Sequence, residues 1–164
     1  MAVVSEQALA LPQMRIRAML DTDVAEIVRI ERAAYAFPWS EVIFRDCLRV
    51  SYMCRVAEIG PHLVGYGIMS LGAGEAHLLN LCIAENYRCR GVGRQLLTHL
   101  LQLAANAGAQ EAFLETRPSN SAAIRLYESL HFTQIGIRRG YYQASTGRED
   151  AIVLRRRIRA GELA

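Results

Sequence analysis

The feature that most constrains the fold is a glycine loop that joins an apolar strand to a long amphipathic helix. The strand is predicted over residues 75–83 and the helix over 92–107, with leucines along one face of the helix. The loop between them holds Gly91 and Gly93, and no Ser, Thr, Asp or Asn stands where it would cap the first amides of the helix. Because a helix start presents free N–H groups and a positive dipole end, this stretch predicts a phosphate-binding backbone in an α/β fold.

The elements around the loop form two groups. Before it come a strand, a helix that begins at Asp21 or Asp23, a second short helix and three meander strands, predicted over 14–19, 41–49, 52–58, 63–71 and 75–83. After it come helices over 92–107 and 120–130 and strands over 111–116, 133–139 and 149–157. Gly65 and Gly67 are predicted to mark a β-bulge, and Gly108 to end the long helix. This order predicts an α/β fold with a mixed, mostly antiparallel sheet of about seven strands flanked by about four helices.

The length and the ends of the chain favour one soluble domain. A chain of 164 residues has the size of a single domain, predicted over 14–158 with disordered tails at 1–13 and 159–164. No apolar run reaches the roughly 18 residues of a membrane span, so no membrane partner is expected. Residues 1–11 carry Glu6 and no positive charge, unlike an export signal. We therefore expect a cytoplasmic protein with reduced thiols.

The composition excludes several kinds of chemistry. All 19 basic residues are Arg, whereas P-loop and Schiff-base enzymes need a Lys. The four cysteines form no C-x-x-C pair and the four histidines no H-E-x-x-H motif, so no metal site is expected. The net charge of +3 is mild, and the arginines at 155–157 and 159 are interpreted as a solvated strand end. Direct nucleic-acid binding is therefore not expected.

The loop resembles a known motif. Its pattern Arg88-x-x-Gly91-x-Gly93 is similar to the Arg/Gln-x-x-Gly-x-Gly/Ala motif of the GNAT superfamily of N-acetyltransferases, in which it binds the pyrophosphate of acetyl-CoA. A dinucleotide motif is disfavoured because Leu96 stands at its third glycine position. The order of elements over 14–158 also matches GNAT enzymes, so the resemblance implies the GNAT fold, with acetyl-CoA as co-substrate and no metal. The cofactor-binding residues are expected to be Leu81, Cys82, Ile83, Arg88, Cys89, Arg90, Gly91, Val92, Gly93, Arg94 and Asn120.

Two of these contacts have alternatives. A backbone N–H near Cys82 or Ile83 is expected to bind the thioester oxygen as negative charge develops there, with no need for a cysteine nucleophile. Asn120 resembles an Asn that contacts the cofactor in the family, and it is equally suited to cap the helix that follows it. The arginines Arg88, Arg90 and Arg94 would add positive charge around the loop, or they would only be solvated.

Three further segments narrow the resemblance. Residues 36–40, 114–120 with 126–130, and 141–151 resemble the RimI subfamily of GNAT enzymes, which acetylates the N-terminal alanine of ribosomal small-subunit protein 18. The resemblance implies that N-terminus as the partner, with direct transfer from acetyl-CoA. The sequence departs from the subfamily at His131, where Gly is usual, and at Gly140 before the paired tyrosines. His131 is expected to take a strained left-handed conformation at the helix end.

Two side chains are expected to carry the chemistry. An α-amino group with a pKa of about 8 is mostly protonated at neutral pH, so acetyl transfer requires a base. Glu115 lies in the apolar run 112–116, and the subfamily uses the matching Glu as base, although a lone carboxylate at a strand end is often only a solvated edge residue. The spacing of Tyr127 alone favours a core residue, whereas the resemblance makes it the counterpart of the family's general acid for the departing thiolate.

Substrate recognition is expected from two segments beside the site. Phe37 and Trp39 are the bulky aromatics of the first-half loop, and Tyr141 and Tyr142 are predicted in the connection between the last two strands. In the subfamily these segments clamp an extended peptide N-terminus. Alternatively, Trp39 packs under a helix and one tyrosine alone faces the ligand.

Other functions remain open from the sequence. A GNAT enzyme could act on another amine, such as a lysine side chain, a polyamine or a small metabolite. A non-catalytic acyl-CoA-binding module, or a ribosome-associated factor that uses the C-terminal arginines, belongs to a different class.

Overall fold

One seven-stranded sheet organises the protein. The structure, a computed structural model, describes residues 13–159 and 161–163. The sheet has the order β1-β2-β3-β4-β5-β7-β6, and every neighbouring pair is antiparallel except β4 with β5. The strands are β1 (Met14–Ala18), β2 (Met53–Ile59), β3 (His62–Gly72), β4 (Glu75–Ile83), β5 (Glu111–Thr116), β6 (Thr133–Ala144) and β7 (Gly147–Arg157). The helices are α1 (Val24–Ala34), α2 (Glu41–Arg49), α3 (Val92–Asn106) and α4 (Ser121–Ser129), with short 3-10 turns at Asp21–Asp23 and Glu85–Tyr87.

The predicted fold class is therefore confirmed. The long helix forms where its leucine stripe predicts, since Leu96, Leu97, Leu100 and Leu101 are all fully buried. Gly108 follows it in the left-handed conformation, with φ +90°, and the chain turns there into β5.

The helices cover the two faces of the sheet. On β3, Met69 packs with α3 and α4, whereas Tyr66 and Ile68 point to the opposite face and pack with α1 and α2. Gly67 lies under α3, where a Cβ would come within 2.6 Å of Leu100 Cδ1. Gly67 is thus explained by the close approach of the helix. The bulge of β3 against β2 lies at Val64, directly before Gly65, so the prediction of a bulge is confirmed at Gly65.

A second bulge decides where a site can form. On β4, Asn80 is opposite Ile68 and Leu78 is opposite Met69, so Leu79 is an extra residue. The parallel pairing of β4 with β5 ends at the pair Leu78 and Leu114. Beyond this bulge the two strands separate, and their facing backbone groups no longer pair with each other.

The last hairpin differs from the prediction. The strand β6 continues through Tyr141 and Tyr142, which were expected in the connecting segment. The chain passes through Gly140 in a left-handed conformation with φ +59°, and Asp150 Oδ1 accepts a hydrogen bond from the Gly140 N–H at 2.8 Å. These two features produce a bulge between Arg138 and Tyr142 instead of a turn, so strand pairing resumes after it.

The two chain ends are described in part. The predicted tail at residues 1–13 lies outside the described residues except for Gln13. In the predicted tail at 159–164, residues 161–163 form a turn, Leu163 packs against the core beneath α3, and Glu162 lies 3.3 Å from Arg156. Arg156 is only 4% exposed and donates to Leu130 O at 2.8 Å, so one member of the arginine cluster caps α4 rather than being solvated.

No helix in residues 13–159 or 161–163 is long and apolar enough to cross a membrane.

We predict that His131→Gly stabilises the protein. His131 has φ +67°, as the sequence led us to expect, and a residue with a Cβ in this conformation costs about 1–2 kcal/mol. Part of that gain is offset by the extra backbone entropy of glycine in the unfolded chain, so we expect about 0.5–1 kcal/mol in urea unfolding. The control Thr133→Gly, inside β6, should lower stability, and a loss in both variants would contradict the assigned strain.

Candidate active site

A cavity of about 690 Å³ opens where β4 and β5 separate. Its walls come from the end of α1, the segment after it, the two diverging strands, the start of α4 and the last hairpin. The structure brings eight of the predicted site residues to this cavity: Phe37, Trp39, Leu81, Glu115, Asn120, Tyr127, Tyr141 and Tyr142.

Glu115 lies at the end of β5 with its carboxylate at the cavity wall. The alternation of β5 buries Leu114 and Thr116 on one face, which places Glu115 on the other. Its side chain is mostly buried, and Oε1 lies 3.3 Å from Arg138 Nε, a cation that its apolar sequence neighbours did not predict. The carboxylate is therefore held by one guanidinium and open to the cavity, where it can accept a proton.

Tyr127 has a core position and also lines the cavity. It is 7% exposed, and its ring packs edge to face with Phe132 at 6.0 Å between centroids. Among the described residues none accepts a hydrogen bond from its hydroxyl. Burial raises the pKa of Tyr127, so the phenol keeps its proton at neutral pH and can donate it to a group in the cavity.

Beyond the bulge, the N–H and C=O groups of every second residue of β4 point into the gap between β4 and β5. Leu81 O accepts from the Tyr35 hydroxyl at 3.2 Å, and Ile83 O accepts from Arg88 Nε at 3.0 Å, so the backbone groups of both residues point away from β3. Ala84 N instead donates to Val64 O on β3 at 2.8 Å. Because antiparallel neighbours alternate, the N–H groups of Leu81 and Ile83 face the gap and that of Cys82 faces β3.

Cys82 is thus a core residue. Its side chain is 3% exposed, and burial raises the pKa of its thiol. A protonated, buried thiol is a poor nucleophile.

The glycine loop leads from β4 into α3 at the end of the gap. Gly91 has φ +81° and precedes the helix with no side-chain cap, and the first amide bonded within the helix is that of Gln95, to Gly91 O. Gly93 lies close to α4, since a Cβ there would meet Leu126 Cδ2 at 3.3 Å. Val92 has a buried side chain, so it can offer only its backbone to a ligand.

The loop arginines have protein contacts of their own. Arg94 donates to Ser129 Oγ at 2.7 Å, and the guanidinium of Arg90 lies 5.7 Å from the ring centre of Tyr87. Cys89, between Arg88 and Arg90, is exposed with φ +61°. The residues of the loop border the gap from outside and do not line the main cavity.

The position of Asn120 suits both roles expected for it, capping α4 and contacting a ligand in the cavity. Its Oδ1 accepts from Ala123 N at 3.3 Å, which caps α4, and the residue also lines the cavity.

Two pairs of aromatic residues form opposite walls of the cavity. Trp39 packs on Phe44 with 5.4 Å between ring centroids, whereas Phe37 is 45% exposed. On the hairpin, Tyr141 and Tyr142 pack edge to face at 4.9 Å.

The hairpin wall is braced from β5. The guanidinium of Arg117 lies 4.4 Å from the ring centre of Tyr142 and pairs with Glu149 at 2.9 Å. Burial, followed by the electrostatic effects of the neighbouring Tyr141 and Glu115, raises the pKa of Tyr142 to about 12, so its hydroxyl is protonated at neutral pH.

Several residues of the site were not predicted from the sequence: Glu31, Tyr35, Asn80, Arg117, Arg138 and Glu149. Only Glu31 had a sequence signal that could have identified it, because its spacing from Val24, Ile27 and Val28 puts it on the buried stripe of α1. The others meet across strands whose register the sequence does not reveal. Within the described part of the chain, no three His, Cys, Asp or Glu side chains lie together in a way that could hold a metal ion.

The sequence is similar to that of known N-acetyltransferases. The model of the acetyltransferase (GNAT) family matches residues 22–132. The [ribosomal protein bS18]-alanine N-acetyltransferase of Escherichia coli strain K12 is 38% identical over 139 residues, which cover 85% of this chain and 94% of that protein.

Solved structures agree. The crystal structure of the ribosomal-protein-S18-alanine N-acetyltransferase from Escherichia coli superposes with a TM-score of 0.84 over 92% of this chain and 97% of that chain, at 38% identity. Arabidopsis thaliana NAA60 in complex with acetyl-CoA has a TM-score of 0.81 over 89% of this chain and 99% of that one, at 17% identity, a likeness of fold alone. With a family model over most of its length and a relative at 38% identity, this chain belongs to the GNAT family of acetyltransferases.

Proposed function

We propose that this protein transfers the acetyl group of acetyl-CoA to the α-amino group of the N-terminal alanine of ribosomal small-subunit protein 18. The observation that carries the proposal is the meeting of a carboxylate, Glu115, and a protonated phenol, Tyr127, in one aromatic-walled cavity at the gap in the sheet. The likeness to the Escherichia coli enzyme over most of both chains supports this substrate.

The residues at the gap fit acetyl-CoA. The free amides at the start of α3 and the arginines of the loop suit its phosphates, and the N–H groups of Leu81 and Ile83 suit the amide-bearing arm and the thioester carbonyl. When bound, acetyl-CoA supplies an activated acetyl group as a thioester.

In the proposed mechanism, the protein moves two protons and stabilises one developing charge. Glu115 takes the proton from the α-ammonium group, directly or across one water molecule, which frees the amine for attack. The amine nitrogen then forms a bond to the thioester carbon, and the N–H of Leu81 or Ile83 donates to the carbonyl oxygen as it becomes negative. As the C–S bond breaks, Tyr127 donates its proton to the departing sulfur, and its phenolate takes up the second proton of the nitrogen, which leaves the acetylated amine, CoA thiol and the starting phenol. The aromatic walls, Phe37 on one side and Tyr141 with Tyr142 on the other, hold the first residues of the peptide.

The direct test is release of CoA from acetyl-CoA with a peptide that starts with the alanine of ribosomal small-subunit protein 18. The control is the same peptide with a blocked N-terminus. Turnover of the free peptide alone is expected. Equal CoA release with both peptides would indicate that the enzyme acetylates another amine. If neither peptide causes CoA release but acetyl-CoA binds, a non-catalytic acyl-CoA-binding module would be favoured.

Glu115→Gln should lower kcat by about 10²–10⁴-fold while acetyl-CoA binds as before, because an amide cannot accept the ammonium proton. The matched control is Glu111→Gln, on the same face of β5 and paired with Arg155 at 3.5 Å, away from the cavity. Steady-state kinetics and calorimetry of acetyl-CoA binding measure both effects. Unchanged turnover in Glu115→Gln would remove this residue from the mechanism.

Tyr127→Phe should slow turnover by at least about tenfold, at the low end for loss of an acid–base group, with almost no change in thermal stability. The ring keeps its packing on Phe132, and the lost hydroxyl has no acceptor among the described residues. Tyr52→Phe, at a surface position outside the cavity, is the control. A large drop in Tm with normal kcat would mean that Tyr127 is a core residue alone.

Gly91→Ala should weaken acetyl-CoA binding. Gly91 has φ +81° with open space around its Cα, so alanine adds backbone strain of about 1–2 kcal/mol without a clash. Gly74→Ala is a matched control, since Gly74 has φ +78°, equally open space, and a place in the β3–β4 turn. Both variants should lose similar stability in urea. Equal acetyl-CoA affinity in both would show that the loop geometry does not serve the cofactor.

A further inference from the structure

A buried carboxylate lies behind the cavity and has no place in the proposed proton transfers. Glu31, on α1, is 2% exposed and contributes to the cavity wall. Its Oε1 accepts from the backbone N–H of Trp39 at 3.0 Å, and its Oε2 accepts from Asn80 Nδ2 at 3.1 Å and from the Tyr66 hydroxyl. In the described part of the chain, none of the ion pairs includes Glu31.

The surroundings of Glu31 are unusual for a buried charge. Removing a carboxylate from water is costly and is normally offset by a cation or by several good hydrogen bonds. Here three neutral hydrogen-bond donors offset that cost. Each comes from a different part of the chain: the segment after α1, the strand β3 and the strand β4. A charge-assisted hydrogen bond is stronger than a neutral one, so Glu31 ties these three parts together.

Aromatic contacts close the arrangement into a ring. Trp39 packs on Phe44 with 5.4 Å between ring centroids, and Phe44 packs edge to face on Tyr66 with 5.5 Å between ring centroids. The hydroxyl of Tyr66 in turn donates to Glu31. We call these four residues, Glu31, Trp39, Phe44 and Tyr66, the Glu31 circuit. It holds Trp39 at both its backbone and its ring.

The circuit also reaches the gap in the sheet through Asn80. This residue directly follows Leu79, the extra residue at which β4 leaves β5. On the other side of the circuit, Phe37 lies two residues before Trp39, and the intervening Pro38 restricts the backbone between them. Glu31 therefore joins the wall that carries Phe37 to the strand that borders the gap.

We propose that Glu31 is a positioning residue, which fixes the Phe37 wall relative to β4 and so sets the peptide-binding side of the cavity. The inference rests on the proposed function and deepens it, because it assigns to Glu31 the shape of the peptide site rather than a contact with the peptide. It also divides the aromatic residues of this wall: Trp39 is the anchored one, and Phe37 is the one presented to the substrate.

The test is Glu31→Gln, which keeps the shape of the side chain but replaces one accepting oxygen with an NH₂ group. That group faces either the Trp39 N–H, which can only donate, or Asn80 and Tyr66, which lose the charged acceptor that they share. Loss of one charge-assisted hydrogen bond predicts a peptide KM raised about tenfold to a hundredfold, with kcat and the KM for acetyl-CoA changed by no more than about twofold.

A second readout does not depend on activity. Trp39 is the only tryptophan of the chain, so its fluorescence reports the wall alone. In Glu31→Gln, quenching by acrylamide should increase and the emission maximum should move to longer wavelength. The control is Arg156→Met, which removes another buried charged group, at the far end of α4, and should lower Tm with normal peptide KM and normal fluorescence.

The outcomes separate the inference from the function. An equal rise of both KM values in Glu31→Gln, an unchanged peptide KM, or the same KM change in Arg156→Met would overturn the positioning role. Failure of the wild-type protein to acetylate the peptide would overturn the proposed function, and the fluorescence of Trp39 would still test the circuit. If Glu31→Gln does not fold, Phe44→Leu opens the circuit at its apolar side and should give the same rise in peptide KM; exposure of Trp39 there without that rise would also overturn the inference.

Discussion

The site depends on one irregularity of the sheet, the extra residue Leu79 in β4. Backbone N–H and C=O groups inside a sheet normally pair with the next strand, and leaving them unpaired is unfavourable. After the bulge, β4 turns its backbone toward β5 at a distance that no longer allows pairing. The protein satisfies the carbonyls itself, through the Tyr35 hydroxyl on Leu81 and the guanidinium of Arg88 on Ile83. The N–H groups on the same side are left for a ligand, so the geometry of the proposed cofactor site follows from the bulge.

Glu31, Glu115 and Glu149 border the same cavity, and the surroundings of the first two separate their roles. Glu31 is enclosed, with both oxygens occupied by neutral donors from three parts of the chain. Glu115 is partly exposed at a strand end, with a single guanidinium beside it and the remainder of the carboxylate open. A proton acceptor needs free lone pairs and access to the substrate, and of these two carboxylates Glu115 alone has both. A carboxylate that is fully hydrogen-bonded and buried is instead suited to fix the distances between elements.

The sequence predicted the parts of the fold that local patterns encode. Periodicity gave the helices, the alternation and turns gave the meander, and Gly91 before an uncapped helix start gave the loop. Interactions between segments that are distant in the sequence could not be predicted from it. The bulge of β6 requires Asp150 to reach Gly140 from the next strand, so Tyr141 and Tyr142 were expected in a turn. Arg138 on β6 and Glu115 on β5 form an ion pair across the intervening strand β7, where their pairing partners lie two residues apart. This contact can be recognised only once the register of the three strands is known.

The absence of lysine from the chain is reflected in how its arginines are used. Arg17 binds Asp23 with two nitrogens and Glu58 with another pair of contacts, which ties β1, the first 3-10 turn and β2 together. Arg117 lies over the ring of Tyr142 while it pairs with Glu149, and buried Arg156 donates to a carbonyl while it pairs with Glu162. A planar guanidinium can serve several acceptors at fixed angles and stack on a ring, whereas an ammonium is a compact, strongly hydrated point charge. Replacing these arginines with lysine would keep the net charge and lose the geometry, and since Arg117 braces the hairpin wall, the shape of the cavity depends on that geometry.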